Sequence, residues 1–223
     1  MNDRSLGIFA KEPRPGQVKS RLAAVTSPEW AAKVADAFLR DTVSRLAQVD
    51  AERFLVYDPA EGREYFPPLA GNRYELLPQE GGDLGRRMEQ FILGRLQAGA
   101  QRIVIVGADS PTLPPEWIER AFQELAKSDL VLGPATDGGY YLLGCAGAPP
   151  PIFDHISWGT ERVLCETIGR LTNDAGRLAL LPPWYDVDTL ADLWSLKGHL
   201  AALQRAGLDL KISHTQQLIE DFP

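Results

Sequence analysis

The chain has 223 residues, a length at which one hydrophobic core is still filled by one domain, so a single domain over residues 1–223 is expected. Apolar residues make up 44% and charged residues 24%, which is typical of globular proteins and excludes disordered, collagen-like and coiled-coil classes. The formal net charge of −7 disfavours nucleic acid and anionic membranes, which attract basic surfaces, and leaves small molecules as the expected partners.

Short apolar runs bounded by Gly, Pro or Asp predict β-strands, and they alternate with longer stretches of helical spacing. The predicted strands are Leu6–Ala10, Phe54–Tyr57, Ile103–Val106, Asp129–Leu132 and Tyr140–Leu143. This alternation indicates an α/β fold.

The predicted helices carry start signals. Ser27 is a typical N-cap followed by Pro28 at the first helical position, and this helix is expected to run to about Gln48. Further helices are predicted after Asp83, after Pro115, and over about Thr160–Leu171 and Thr189–Ala206. The tail after Gly207 has only weak patterning.

Cysteine usage and hydropathy indicate the compartment. Cys145 and Cys165 form neither a C-x-x-C motif nor zinc-ligand spacing, so no disulfide framework or structural zinc site is indicated. No apolar run approaches the ~20 residues of a membrane span, and the first residues lack the apolar stretch of a signal peptide. A cytoplasmic protein with no membrane partner is expected.

The strand Ile103–Val106 is apolar at every position, which predicts a central strand covered on both faces of the sheet. In open parallel sheets, ligands bind outside the carboxyl ends of the strands. The segment Gly107–Pro111 follows this strand directly and is therefore a candidate ligand position.

A basic segment follows the first predicted strand. Residues 1–21 have a local charge of +3, from two acidic side chains and the cationic Arg4, Lys11, Arg14, Lys19 and Arg21. Lys19 and Arg21 fall at the start of a predicted helix, where the positive end of the helix dipole repels cations unless an anion is bound. Gly16 would let a phosphate approach the backbone. Lys11, Gly16, Lys19 and Arg21 are therefore candidate phosphate ligands, with a solvated basic turn as the alternative.

Asp109 stands at the end of the buried strand and needs a partner, because a desolvated lone carboxylate is costly. Mg²⁺ typically takes one or two protein carboxylates and fills its shell with water and substrate phosphates. Alternation would point Asp186 and Asp188 to one side of a short strand, where either could supply a second carboxylate. Two alternatives stay open: Asp109 as a turn cap, and Asp188 or Thr189 as the N-cap of the last long helix.

Two other segments combine glycine with charge. Gly82 would allow close approach of a ligand, and Arg86 or Arg87 could reach the same anion; a surface ion pair with Glu80 or Glu89 is the alternative. The Asp137-Gly138 pair is a hairpin signal as well as a candidate site. Trp158 either walls a pocket or packs in the core.

Together, five motifs resemble the GT-A (nucleotide-diphospho-sugar transferase) superfamily, and most closely its small bacterial glycosyltransferase branch of the arsenosugar-biosynthesis-associated type. The motifs run in order from Ala10 to Leu193: A-K-E-P-R-P-G-x-V-K-S-R-L, G-D-L-G-R-R-M, G-A-D-S-P, D-G-G-Y-Y-L-L-G and D-V-D-T-x-x-D-L. The resemblance extends to molybdopterin-guanylyltransferase-like and phospholactate-guanylyltransferase-like enzymes. It implies a three-layer α/β/α fold with a mostly parallel sheet.

The resemblance also implies roles for the candidate residues. Asp109 and Asp188 would hold Mg²⁺ or Mn²⁺, and the predicted phosphate ligands are Lys11, Gly16, Lys19, Arg21, Gly82 and Arg86. Independently of the resemblance, the site hypothesis has Lys11, Lys19, Arg21 and Arg86 stabilise the charge that grows on the leaving group, with Lys19 as a catalytic candidate and Asp137 as the candidate acceptor-side base. The leading hypothesis is glycosyl transfer from a nucleotide-diphospho-sugar to a small acceptor. Nucleotidyl transfer from a nucleoside triphosphate, with release of pyrophosphate, and a non-catalytic nucleotide-binding protein are the alternatives; the oligomeric state is unknown.

Overall fold

The structure is a computed structural model and describes residues 3–62, 64–171, 176–220 and 222. The strands in these ranges are β1 (Arg4–Lys11), β2 (Glu52–Asp58), β3 (Glu75–Pro78), β4 (Arg102–Val106), β5 (Leu130–Pro134), β6 (Tyr140–Ala146) and β7 (Leu178–Leu180). The α-helices are α1 (Ser20–Ala23), α2 (Pro28–Leu46), α3 (Phe66–Ala70), α4 (Leu84–Gln97), α5 (Pro115–Glu124), α6 (Val163–Arg170), α7 (Leu190–Arg205) and α8 (Ser213–Glu220).

All seven described strands belong to one sheet, in the order β3-β2-β1-β4-β6-β5-β7. β6 runs antiparallel to β4 and β5, and every other neighbouring pair is parallel. The exception has a local cause, since the short loop 135–139 joins β5 to β6, and short loops connect antiparallel neighbours. The carboxyl ends of β1, β2, β3, β4 and β5 therefore meet at one edge. The predicted mostly parallel α/β fold is confirmed.

Helices cover both faces of the sheet. Ile103 and Ile105 of β4 pack in a buried cluster with α4, whereas Val104 and Val106 pack in a second cluster with α2 and α5. Each of these four side chains is 4% exposed or less, as a strand buried on both faces requires. The predicted position of this strand at the centre of the sheet is confirmed, although one of its neighbours is antiparallel.

Helix α2 begins as the sequence predicts, because the Ser27 side chain accepts a hydrogen bond from the Trp30 N–H at 3.1 Å. Helix α8 lies in the tail after Gly207, where the weak sequence pattern predicted no element. Its cap comes from a distant part of the chain: buried Asp41 accepts hydrogen bonds from the N–H groups of His214 (3.3 Å) and Thr215 (2.7 Å). A cap from another helix leaves no signal in the local sequence. Within the described ranges, no helix combines the length and apolarity that crossing a bilayer requires.

Candidate functional site

Lys19 occupies the centre of the site at the carboxyl edge of the sheet. Its Nζ donates a hydrogen bond to Oδ1 of Asp188 at 2.9 Å and another to Oδ1 of Asp109. The lysine side chain is only 2% exposed, against 57% for Asp109 and 36% for Asp188, and Nζ lies 5.4 Å from the centre of the Phe38 ring. The ammonium is therefore buried beneath two carboxylates that reach solvent.

The carboxylates of Asp109 and Asp188 favour the protonated, positively charged form of Lys19. Burial alone lowers the pKa of this lysine, but the negative charges of Asp109 and Asp188 and their hydrogen bonds outweigh burial, so its pKa is raised above the usual value. Lys19 also has left-handed backbone angles, φ 48° and ψ 48°, just before α1. That conformation costs a non-glycine residue roughly 1–3 kcal/mol and recurs at functional sites.

Two loops, residues 107–113 after β4 and 184–188 before α7, carry the acidic residues and are fastened together. The Val187 N–H donates to the carbonyl of Asp109 at 3.0 Å. Side-chain hydrogen bonds join Thr112 to Tyr185 (2.8 Å), Trp184 to Thr112 (3.3 Å), Tyr185 to His199 of α7 (2.7 Å) and Arg45 of α2 to the Pro111 carbonyl (2.6 Å). The carboxylates are thus positioned by a network that spans three parts of the chain.

Asp186 interacts electrostatically with this pair of carboxylates and accepts a hydrogen bond from the Ser110 hydroxyl. Burial raises the pKa of Asp186 to about 7, the Ser110 hydrogen bond opposes the shift, and the charges of Asp109, Asp137 and Asp188 add to it. The predicted alternation of Asp186 and Asp188 on a short strand is not seen, because only Trp184 in this loop forms a β-bridge, with Ala135. Both carboxylates nevertheless lie at the site.

Two cavities meet at Lys19, Leu84 and Asp188. One, of about 520 Å³, is also lined by Lys11, Gln17, Asp58, Gln79, Arg87 and Asp109. The other, of about 340 Å³, is also lined by Arg21, Asp137, Tyr140, Trp158, Thr160 and Val163. The shared residues join them into one cleft with two lobes, which we call the β1 lobe and the β6 lobe.

The predicted phosphate ligands of the basic segment divide between these lobes. Lys11 lines the β1 lobe, Arg21 lines the β6 lobe, and Lys19 lies between the two. Gly16 has φ +76°, an angle that favours glycine, but it is not among the lining residues. Lys19 precedes rather than begins α1, which has only four residues.

On α4 the structure brings Arg87, not Arg86, to the cleft. Arg86 points to the surface, where it pairs with Glu89 (2.7 Å) and Asp154 (2.8 Å), the kind of surface pairing weighed as the alternative. Arg87 lines the β1 lobe and lies 3.3 Å from Oδ1 of Asp58. Adjacent helical residues point about 100° apart, so only one of these arginines faces the cleft. The phosphate roles of Arg86 and of Gly82, which lines neither lobe, stay predictions.

Asp137 is both a turn residue and a lining residue. Its Oδ1 accepts a hydrogen bond from the Gly139 N–H at 2.9 Å within the β5–β6 hairpin, and the side chain also lines the β6 lobe. Gly138 has φ +94°, and a Cβ there would lie 2.2 Å from the carbonyl oxygen of Glu161. The predicted hairpin is confirmed, and the absence of a side chain at Gly138 lets the backbone at Glu161 pack against the hairpin beside the β6 lobe. The role of Asp137 as a base stays a prediction.

Trp158 forms a wall of the β6 lobe and also packs on the first turn of α4. A Cβ on Gly85 would lie 2.6 Å from its indole ring, so the indole lies directly on the backbone of α4. Both interpretations of this tryptophan therefore apply. Its contact fixes the α4 start, and with it Leu84, against the lobe.

The donor set fits a hard divalent cation. Two carboxylate oxygens converge on one point, which the ammonium of Lys19 holds, and Mg²⁺ commonly takes one or two protein carboxylates. Among the described residues no group of three or more His, Cys, Asp or Glu side chains could hold a metal ion. Ligand phosphates and water would therefore complete the coordination shell.

Sequence reasoning missed three features of the site. Asp58 reaches the cleft because it is the last residue of β2, next to β1, and Gln79 reaches it because it directly follows β3, next to β2. The end of predicted strand Phe54–Tyr57 was the available signal for Asp58. Strand β3 left none, since it has four residues and is only partly buried. The tether from Thr112 to Tyr185 joins residues that are 73 positions apart, and no local pattern reports such a contact.

Comparison with known proteins finds a matching bacterial family and a similar solved structure. Residues 41–160 match the family described as an uncharacterized protein conserved in bacteria (DUF2064). A crystal structure from Desulfovibrio desulfuricans G20, provisionally described as a nucleotide-diphospho-sugar transferase, matches with a TM-score of 0.85 and 31% identity. The match covers 100% of this chain and 99% of that one. This similarity supports the predicted nucleotide-diphospho-sugar transferase fold.

Two curated proteins are also similar to the chain. A 3-phospho-D-glycerate guanylyltransferase of Phenylobacterium zucineum (strain HLK1) is 35% identical over 136 residues, 59% of this chain and 62% of that protein. A 2-phospho-L-lactate guanylyltransferase of Halorubrum lacusprofundi is 27% identical over 188 residues, 82% of this chain and 81% of that protein. The chain thus spans less than two thirds of the first of these relatives. Neither is named for arsenosugar biosynthesis, so that part of the resemblance stays a prediction.

Proposed function

The chain belongs to the bacterial protein family DUF2064, and on that premise we propose that it is a nucleotidyltransferase. It takes a nucleoside triphosphate and a small phosphorylated acceptor, joins the nucleoside monophosphate to the acceptor, and releases pyrophosphate. The convergence of Lys19, Asp109 and Asp188 on one point at the carboxyl edge of the sheet supports a nucleotide transferase site, and the similarity to two guanylyltransferases favours nucleotidyl transfer.

The relatives favour nucleotidyl transfer over the glycosyl transfer that led the sequence hypotheses. Both curated relatives are named guanylyltransferases that act on small phosphorylated acids. Either reaction needs a cationic, metal-assisted site for a nucleotide, so the convergence of charges alone does not separate them. The names of the relatives make GTP the first nucleotide to test.

The proposed reaction has a simple balance of atoms. A phosphate oxygen of the acceptor attacks the α-phosphorus of the triphosphate, the bond from that phosphorus to the α,β-bridging oxygen breaks, and pyrophosphate leaves with the bonding electrons. A divalent cation on Asp109 and Asp188, when bound, would neutralise the phosphates and polarise the reacting phosphoryl group. Lys19 donates hydrogen bonds to the phosphates and stabilises the charge that develops on the leaving group.

The two lobes of the cleft suit two substrates. The triphosphate extends into the β1 lobe, where Lys11 and Arg87 are cationic, and the acceptor enters the β6 lobe, where Arg21 binds its phosphate. An ionised phosphate is already a nucleophile, so such an acceptor needs no general base. Asp137 would act as a base only for a hydroxyl acceptor, and here it instead shapes the hairpin wall of the lobe.

A product assay tests this proposal. The protein is incubated with Mg²⁺, one of the four common nucleoside triphosphates, and a panel of phosphorylated hydroxy acids, and pyrophosphate and the nucleotide adduct are measured. Acceptor-dependent pyrophosphate together with an adduct of matching mass supports nucleotidyl transfer. Release of a nucleoside diphosphate from nucleotide sugars, without pyrophosphate from any triphosphate, would replace it with glycosyl transfer. Nucleotide binding without either product would identify a non-catalytic binding protein.

A further inference from the structure

The ammonium of Lys19 holds the position that a divalent cation would take. Both of its carboxylate partners contact it through Oδ1, and the bond to Asp188 is 2.9 Å long. We propose that Lys19 is a gatekeeper for the metal: the ammonium and the cation compete for one point between Asp109 and Asp188. The cation then binds tightly only when nucleotide phosphates draw the lysine away. The nucleotide half of this inference rests on the proposed function.

The geometry requires little change in the carboxylates. Mg²⁺ binds oxygen at about 2.0–2.1 Å, so a cation at the position of Nζ needs the Asp188 oxygen to close by somewhat less than 1 Å. The loops that carry Asp109 and Asp188 are fastened by the Val187–Asp109 backbone hydrogen bond, so the two carboxylates stay together when the ammonium leaves. The two carboxylates are therefore positioned to bind a metal cation, but the Lys19 ammonium occupies the position between them.

Charge makes the competition exclusive. Asp109, Asp188 and Lys19 together carry −1, and replacing the ammonium with a dication brings the two carboxylates to neutrality. Keeping both cations would place three positive charges against two negative ones at hydrogen-bond range, in a position that is largely shielded from water. The released ammonium needs new acceptors, which the phosphates supply because Lys19 lines both lobes of the cleft.

The lysine side chain can make this move. Four rotatable bonds separate its ammonium from the backbone, and a compact ammonium can exchange carboxylate partners for phosphate oxygens without a change of charge. Arg21 lines the β6 lobe together with Lys19 but has no hydrogen bond to Asp109 or Asp188 among the described contacts, so it has no carboxylate partner to exchange for a phosphate. Arg21 is therefore the matched control: its removal takes away one nearby positive charge without vacating the cation position.

Metal binding without nucleotide tests the gatekeeper directly. Mn²⁺ binding to the wild-type chain, Lys19→Met and Arg21→Met is measured by calorimetry and by the electron paramagnetic resonance of free Mn²⁺. Lys19→Met is expected to bind Mn²⁺ about tenfold more tightly than wild type, a difference of about 1.4 kcal/mol, with Arg21→Met within about twofold of wild type. Equal or weaker binding by Lys19→Met would overturn the proposal, as would equal gains in both variants.

A second measurement uses the wild-type chain, in case Lys19→Met does not fold. The buried ammonium is followed by ¹⁵N-lysine NMR during a titration with Mg²⁺ and then with Mg²⁺ and a non-hydrolysable GTP analogue. Mg²⁺ alone, at concentrations that saturate the ternary complex, is expected to leave the Lys19 signal in place, and the analogue with Mg²⁺ is expected to shift it. Displacement by Mg²⁺ alone, or no displacement with both, would overturn the proposal.

Neither measurement requires turnover. A chain that passes both tests but releases no pyrophosphate refutes the proposed function and keeps the gatekeeper. A chain that releases pyrophosphate but shows no gain of Mn²⁺ affinity in folded Lys19→Met keeps the function and refutes the gatekeeper.

Discussion

The two walls of the cleft are held in different ways. The acidic wall, residues 107–113 and 184–188, is fastened by hydrogen bonds to itself and to two helices, including the 2.6 Å bond from Arg45 to the Pro111 carbonyl. The basic wall, residues 11–21, contributes Lys11 and Arg21 to the cleft, and neither side chain has a hydrogen bond or ion pair among the described contacts. Among the described contacts of the basic wall, it is Lys19 that pairs with the acidic wall, through Asp109 and Asp188.

The difference indicates a division of labour. Carboxylates that must share a metal ion need fixed positions, because coordination geometry is strict and misplacement is costly. Cationic side chains that bind phosphates need less fixed positions, because the bound phosphate can itself orient them through charge-assisted hydrogen bonds. Changes in the acidic wall should therefore act on catalysis or stability, and changes in the basic wall should act on substrate affinity.

The largest effect is expected at the acidic wall. Asp109→Ala removes one of the two carboxylates that would hold the metal, and pyrophosphate release should fall about a thousandfold. The Asp109 side chain is 57% exposed and Asp188 remains to pair Lys19, so thermal unfolding should change little. Activity within about threefold of wild type would remove Asp109 from the metal site.

The second effect is a pH dependence of stability. Because the pKa of Asp186 is about 7 in the folded chain and near 3.8 when unfolded, the folded state alone retains this proton between those values. Stability therefore falls as pH rises from about 4 to 7, by up to about 1.4 kcal/mol per pH unit for this group. Asp186→Asn keeps a hydrogen-bond acceptor for Ser110 and should flatten the fall in urea unfolding. Parallel pH profiles for the two proteins would contradict this account.

At the basic wall, a smaller and selective effect is expected. Arg21→Gln removes the cation of the β6 lobe and should raise the KM of the phosphorylated acceptor about tenfold, with little change in the KM of the triphosphate. Arg14→Gln is the matched control, because Arg14 pairs with Glu12 at 2.6 Å and lines neither lobe. Equal KM changes for both substrates in Arg21→Gln would refute the assignment of the lobes.

The smallest effect concerns the tether within the acidic wall. Thr112→Val leaves the Tyr185 hydroxyl and the Trp184 indole N–H without their threonine partner and should cost about 1–2 kcal/mol in urea unfolding. Thr42→Val is the control, since Thr42 is also buried but its hydroxyl has no partner among the described residues, so valine should be neutral or stabilising. The same loss in both variants would show that the tether contributes nothing.

Local patterns predicted most of the fold. The five predicted strands exist, because buried strands such as β4 need an uninterrupted apolar run that a sequence displays. Helix starts were readable wherever the cap is local, as at Ser27 and at Asp83, whose carboxylate accepts from the Arg86 N–H. Short or partly exposed elements such as β3 and β7 lack that signal.

The sequence predicted which residues are candidates for the site, from their charge and their positions after strands, but not which of them contact one another. Lys19 and Asp109 were chosen for their charge and their position after strands, but their contact crosses 90 residues, and that with Asp188 crosses 169. The choice between Arg86 and Arg87 depends on helix rotation, which differs by about 100° between neighbours and requires the packing of α4 to be known. Contacts between distant segments are properties of the assembled sheet edge, and a single sequence does not record them.

The central claim is that Lys19, Asp109 and Asp188 converge on the phosphates of one nucleotide. A crystal structure with Mn²⁺ and a non-hydrolysable GTP analogue tests it most directly. The account predicts Mn²⁺ bound by Asp109 and Asp188, with the Lys19 ammonium moved onto a phosphate oxygen. Phosphates bound away from these three residues, with Lys19 still between the two carboxylates, would contradict it.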